Sequence, residues 1–283
     1  MARRFSAPYQ MDPVSRLALW ARRLAIFSLV ATIVSVLVIR FGFLDFRPAL
    51  MTFFGALGLA GLSILVGFAA FVSIWHLGTR GMTLVLFALL LDALILAYPG
   101  YLAIQYERLP RIHDITTDPI DPPRFDALAR LRLADGANSV DYPGLYSAEL
   151  QQRAYPNIEP VSLDLSPKRA YELTLRLVKH RKWLIVDERP PTPPQNIGRI
   201  EAVARTLLMG LREDVSIRIE PDDDGSRFDM RSSSRYFEHD FGSNAARIAK
   251  FSDDLNNAAD DAAPVKKILE PAPQIQPKGT RRR

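Results

Sequence analysis

The sequence predicts an α-helical bundle of three transmembrane spans followed by a small α+β domain, with a mainly antiparallel four-stranded sheet and helices on one face. Three observations lead there. Long apolar runs are confined to residues 1–105. Beyond Gln105 come short segments in which apolar and charged residues alternate. The charge is also unequally divided: residues 1–105 hold eight Arg, no Lys and three Asp, and the rest of the chain holds 28 basic and 28 acidic side chains. The formal charge of +5 therefore sits wholly in the apolar part. A charge-balanced domain lacks the basic surface that a phosphate backbone needs, so nucleic acid is not expected as a partner. The chain has no cysteine, which removes disulfides, thiolate metal sites and cysteine nucleophiles.

A helix needs about 20 mostly apolar residues to cross a hydrocarbon core of about 30 Å. Three stretches qualify, at about 17–40, 50–75 and 82–104, and they make residues 1–105 a membrane domain whose partner is the lipid bilayer. The links FGFLDFRP (41–48) and HLGTRG (76–81) are short and favour antiparallel neighbours. Arg22-Arg23 before the first run resembles a twin-arginine signal, but two more spans follow and no small-residue cleavage site intervenes, so an uncleaved first helix is expected. Basic residues set orientation. Arg3, Arg4, Arg16, Arg22, Arg23 and Arg80 lie on one side, and Arg40 and Arg47 on the other. This predicts a multi-pass protein of a bacterial inner membrane, with a cytoplasmic N-terminus and a periplasmic C-terminal domain.

Two features inside the spans bear on function. Ala56, Ala60, Ser63, Gly67 and Ala70 form a small-residue stripe at helical spacing. Such stripes let helix backbones approach, here within the bundle rather than in a dimer. Asp92 lies near the middle of the third span, where a carboxylate is costly. An ion or proton site is one reading. A single Asp that ties the bundle together, through Ser63 or Ser73, is preferred, because transporters show several such groups and broken helices.

Residues 106–258 are expected to form the extracytoplasmic domain, and 259–283 a disordered tail rich in Pro and Ala with a basic end. The Pro- and Asp-rich stretch 106–165, densest at HDITTDPIDPPRF (113–125), reads as an extended strap rather than a helix. Ser166-Pro167 reads as an N-cap and first helical residue, opening a helix to about His180. Strand-like runs follow at Trp183–Asp187, Gly198–Arg205, Val215–Glu220 and Arg227–Arg235. The last two are joined by PDDDGS (221–226), with Gly225 available for a positive φ. A final helix opens at Ser243 or Asn244 and runs to about Leu255. Alternation then assigns faces. Ile200, Ala202, Ala204, Ile217, Ile219, Phe228 and Met230 meet the helices, and Glu201, Arg218, Asp229, Arg231 and Arg235 share the opposite face.

Taken in order, DITTDPIDPPRF, GRIEAVART, DVSIRI, SRFDMRSSSR and DFGSNAARI resemble a bacterial family of unknown function, family number 1499. The resemblance covers about residues 112–256 and rests chiefly on Arg231-Ser232-x-Ser234-Arg235 with the later Gly242-x-Asn244. Where that family often has Gly after the serine-arginine run, this chain has Tyr236-Phe237. The resemblance implies a membrane-associated bacterial protein and no particular activity.

No P-loop, dinucleotide fingerprint, nucleophile elbow or zinc-protease helix is present. His76, His113, His180 and His239 have no metal-ligand spacing to one another. Glu238-His239-Asp240 reads as a solvated loop, since three adjacent side chains cannot converge on one ion. No cofactor or metal is therefore expected. The polar face is the candidate ligand-binding constellation: Asp114, Glu201, Arg218, Asp229, Arg231 and Arg235. Arginine suits bidentate capture of carboxylates or phosphates, and the strap must lie over something. The expected function is a membrane-tethered module that binds an anionic envelope component or a partner membrane protein. The alternative is a periplasmic hydrolase-like enzyme with Glu201 or Asp114 as general base and the arginines as anion clamp. An enclosed pocket under the strap would favour the enzyme, and flush packing the module.

Overall fold

The computed structural model describes residues 13–135, 137–223 and 225–262. Three helices are long and apolar enough to cross a membrane: α1 (Arg16–Phe41), α2 (Phe46–Leu77) and α3 (Met82–Arg108). Both α1 and α2 end where the sequence supplies glycine: Gly42 (φ 70°) and Gly78 (φ 63°) adopt the left-handed conformation and turn their N–H groups back onto the last turn. The small-residue stripe of α2 is buried within the bundle. Its close approach to α1 is fixed by Ser28 Oγ donating to the Ala56 carbonyl (2.9 Å) and Ser63 Oγ to the Ala21 carbonyl (3.1 Å). Asp92 is fully buried in this bundle near Ser63.

The domain follows in the order β1 (Asp114–Thr116), α4 (Ala127–Asp135), α5 (Leu145–Ala154), β2 (Val161–Leu163), α6 (Pro167–His180), β3 (Leu184–Arg189), β4 (Gly198–Arg205), β5 (Arg212–Asp222), β6 (Gly225–Ser234) and α7 (Ser243–Ala262). The sheet is antiparallel throughout, in the order β1-β6-β5-β4-β3, with β2 also pairing β6. It therefore has six strands rather than the four expected. The two extra strands are three residues long, too short to show alternation, and they divide the outer edge of β6 between them. β1 takes Arg231–Ser233 and β2 takes Ser226–Phe228. The exposed side of β1 is closed in turn by a side chain: Gln151 of α5 accepts from the Thr116 N–H (3.1 Å) and donates to its carbonyl (2.7 Å), as a further strand would.

Alternation holds row by row. Ile200 opposes Ile217, which opposes Met230, and Ile219 opposes Phe228. These side chains are all fully buried, packed against α6 and α7 through Ala170, Val178, Ile248, Phe251 and Leu255. Helices are not confined to that face. Within the stretch read as an extended strap, α4 and α5 form, and α4 packs on the polar side of the sheet, with Phe125, Leu128 and Val203 as a small apolar cluster. The dense prolines at 119–123 obscured this, but none falls within Ala127–Asp135 or Leu145–Ala154, so both segments are free to be helical. Helix α7 also continues four residues beyond residue 258, burying Ala259. The remainder of the expected tail lies outside the described residues.

Gly225 has a different use from the one expected. It is not in the positive-φ region. A Cβ there would lie 2.1 Å from the Leu163 carbonyl oxygen, so glycine is required for the approach of β2 to the hairpin, not for the turn. Only five residues, 109–113, connect α3 to β1, and they are fastened by their backbone. The Leu109 carbonyl meets His239 Nε2 (3.2 Å), the Ile112 carbonyl accepts from the Asp240 N–H (3.1 Å), and the His113 carbonyl accepts from the Ser234 N–H (2.8 Å).

Candidate functional site

The polar face of the sheet is buried beneath the strap and α4, and its side chains meet as ion pairs. Arg231 grips Asp114 through two bonds of 2.9 and 2.7 Å, and donates further to the carbonyls of Pro123 and Val140. Asp214 receives both Arg132 (2.7 Å) and Arg235 (2.9 Å). The ring of Phe125 lies between two cations, with Arg132 4.9 Å and Arg231 4.5 Å from its centroid. Arg218 reaches Asp229 (3.0 Å) and the strap's Asp121 (2.6 Å), and Arg227 reaches Asp118 (2.5 Å). Glu201 turns to the start of α4, where it accepts the backbone N–H groups of Asp126, Ala127 and Leu128 at 2.8–3.1 Å. These are donors that the first turn of a helix leaves without partners.

The six sequence candidates thus share one face but divide into separate clusters. Asp114 with Arg231, Arg218 with Asp229, and Arg235 with Asp214 are ion pairs, and Glu201 caps a helix. Between the strap and the sheet, beside Arg218, lies a polar recess of about 270 Å³ edged by Arg124, Arg199 and Asp126. Burial would push Asp118 up, but the N–H groups of Asp121 and Ile120 and the Arg227 guanidinium outweigh it and hold the carboxyl below its ordinary value. Both carboxylates named as general bases are engaged here: Asp114 accepts two bonds from Arg231, and Glu201 accepts three backbone N–H groups.

A second place in the molecule has the opposite character. Between the apolar bundle and the domain lies a cavity of about 1160 Å³. Its bundle wall is Leu50, Phe53, Phe54 and Leu57 of α2 with Tyr98 and Leu102 of α3. The domain contributes Met209, Phe241, Ala245, Ala246 and Ala249. A polar corner is set into this lining by the family-like motif. Glu213 accepts from Ser243 Oγ (2.5 Å), from Ser234 Oγ (3.2 Å) and from the Arg247 guanidinium. Arg247 donates also to Ser232 Oγ (2.9 Å) and Asn244 Oδ1 (2.8 Å), and Asn244 Nδ2 donates to Ser234 Oγ (3.0 Å). The serine run of β6 and the Gly-Ser-Asn start of α7 therefore converge on one network.

The loop between β6 and α7 forms the cavity's edge and is held under strain. Phe237 (φ 68°) and Phe241 (φ 52°) both take the left-handed conformation that disfavours side chains. The aromatic pair standing in place of glycine packs on the bundle: Tyr236 stacks on Phe46 at 3.9 Å and Phe237 meets it edge-on at 5.4 Å. His239 and Asp240 are buried rather than solvated. His239 Nδ1 accepts from the Phe241 N–H (2.8 Å), while the Asp240 carboxylate accepts from the N–H groups of Gly242 and Asn244 (3.0 Å each). Burial raises the Asp240 carboxyl above its ordinary value despite those bonds. Tyr155 also faces the cavity, and its buried hydroxyl has no hydrogen-bond partner among the described residues. Burial, aided by the Asp240 charge, pushes this phenol up to about 12, so it remains a hydrogen-bond donor at neutral pH.

Among families of known proteins, the model described as "Protein of unknown function (DUF1499)" matches residues 114–255, half of the chain. A search of curated proteins found no match.

Proposed function

The chain belongs to the DUF1499 family, and we propose that it is a membrane-anchored binding module whose ligand is an acyl-chain amphiphile held in the cavity between bundle and domain. The observation that carries this reading is the cavity itself. At about 1160 Å³ it is at or slightly above the size of ordinary small-molecule sites, about 300–1,000 Å³, and its lining is mainly apolar, with polar groups that include Glu213, Ser243 and Arg247. One wall is made of helices suited to a bilayer, so a lipid tail entering it would leave one apolar surrounding for another. The Tyr155 hydroxyl, unpartnered and buried, suits an acceptor oxygen of a carboxylate or phosphate head, and Ser243 and Arg247 line the same space. In this proposal the domain lies on the periplasmic side of a bacterial inner membrane, as the arginine asymmetry suggests. The ion-paired sheet face serves as the frame that holds the site rather than as the site itself. The enzyme alternative has less support, since Glu201 and Asp114 are engaged in hydrogen bonds, and the hydroxyl opposite Glu201, that of Ser216, is itself spent on the Arg124 carbonyl.

The test is binding of a fluorescent long-chain fatty acid to the full-length protein in detergent. Ala246 is exposed and lines the cavity, so Ala246→Trp sets a bulky ring into it without disturbing the core. The expected result is affinity weakened at least about tenfold with an unchanged thermal transition. Wild-type affinity in the variant would overturn the assignment of the site.

A further inference from the structure

The turn between β4 and β5, Thr206–Leu211, has a sequence unusual for an exposed loop: Thr-Leu-Leu-Met-Gly-Leu. It is closed on itself by three bonds. The Thr206 N–H donates to the Leu211 carbonyl (2.9 Å), the Gly210 N–H to the Thr206 carbonyl (3.1 Å), and the Leu211 N–H to Thr206 Oγ1 (2.9 Å). Met209 turns inward and is buried, yet Leu207 is 95% exposed and Leu208 43%. Side chains of this kind left in water forgo the stabilisation that burial gives.

The turn is fastened to the end of a spanning helix. Arg40, in the last turn of α1, donates to the carbonyls of Leu207 (2.7 Å) and Leu208 (3.3 Å), and Arg205 donates to the Arg40 carbonyl (3.0 Å). Gly210 makes the contact possible. It has φ 65°, and a Cβ there would lie 2.9 Å from Arg40 Cγ. The level of the turn relative to a bilayer follows from α1. Its uncharged run Leu24–Ile39 is bounded by Arg23 and Arg40, and a charge is costly within the hydrocarbon core, so the last turn lies in the interfacial layer. The neighbouring link presents Phe41, Phe43 and Leu44, all at least half exposed, at the same end. Apolar tips beside arginines whose stems lie along apolar surface are the composition that interfacial segments share.

We propose that the Thr206–Leu211 turn is a second membrane attachment, in which Leu207 and Leu208 sit in the interfacial layer of the bilayer that α1 crosses and hold the domain against it. The same turn borders the ligand cavity, since Thr206, Leu207, Met209 and Leu211 line it, but the attachment does not require that cavity to be occupied. The absence of cysteine makes the test direct. Leu207→Cys and, as a control, Ile120→Cys are labelled with bimane in the full-length protein reconstituted in phosphatidylcholine–phosphatidylglycerol vesicles. Ile120 is equally exposed (95%) but lies on the strap near the far end of the β5–β6 hairpin. Lipids brominated near the head-group end of their chains should quench the label at 207 several-fold more than the label at 120. Equal quenching would overturn the proposal and leave the leucines as a surface for a protein partner. Because both positions are exposed, neither substitution disturbs packing, and an unchanged thermal transition verifies the fold.

Discussion

Replacing Arg231 by alanine should destabilise the domain severely, because it leaves the Asp114 carboxylate in a place with no access to water. Asp114 is fully buried and Arg231 is 2% exposed. Removing one partner of a buried, hydrogen-bonded pair costs about 3–5 kcal/mol. The variant also loses the contact with Phe125 and the bonds that tie the strap at Pro123 and Val140 to β6. For a domain of roughly 150 residues each kcal/mol shifts the melting temperature by about 2–4 °C, so the transition should fall by about 6–20 °C. Tryptophan fluorescence follows it, since Trp183 stacks on Phe251 in the domain core at 5.4 Å. The double variant Arg231→Met, Asp114→Leu should recover most of the loss, because removing both charges strands neither. A single variant melting within about 1 kcal/mol of the parent would place the pair among solvated surface bridges and refute the reasoning. So would a double variant no better than the single one.

Three further outcomes are expected. Gly225→Ala should cost about 1–3 kcal/mol by forcing β2 away from the hairpin, and amide exchange should quicken at Leu163 first; unchanged exchange there would contradict the close approach. Burial holds the His113 imidazole below its ordinary 6.5, outweighing the nearby Asp114 charge. Its neutral form is thus the one the fold favours, and its contribution is present above that ordinary value and lost as pH falls through the lowered one. The domain should melt lower at about pH 5 than at about pH 7.5, and His113→Gln should flatten part of that slope; an identical slope in the variant would remove His113 as a cause. Alkaline phosphatase joined after Ala262 should be active outside the cytoplasm; activity only from a cytoplasmic reporter at that point would reverse the proposed orientation.

Much of the architecture was legible in residue pattern because it is local. The apolar runs gave all three long helices, and β4 has the bounds that alternation assigned, Gly198–Arg205. The polar face of β4, β5 and β6 was legible for the same reason, since period two fixes which side each arginine takes. Asp114 and Asp229 were named with them, but Asp118 and Asp121 were not, because they come from a segment about 100 residues earlier and only the fold sets them against Arg227 and Arg218. The same holds for β1 and β2, whose strand character comes from pairing with β6 rather than from their own residues. The cavity was the least legible. Its walls come from Leu50 and Phe53, Tyr98 and Leu102, Tyr155, Met209 and Ala246, none of them close to the others in sequence. The one available signal was Tyr236-Phe237 in place of glycine, which marked the loop that packs on α2.

The five-residue connection between α3 and β1 has a mechanical consequence. At about 3.5 Å per residue it could reach about 17 Å if free, but its backbone is pinned to Ser234, His239 and Asp240, leaving no slack to take up rotation. A spanning helix answers a thinner or thicker bilayer by changing its tilt. Here such a tilt cannot be absorbed at the helix end. It is carried into the sheet, and because the domain is also fastened to Arg40 of α1 and Phe46 of α2, bundle and domain turn together. The thickness of the surrounding membrane therefore becomes a variable that sets the pose of the whole domain.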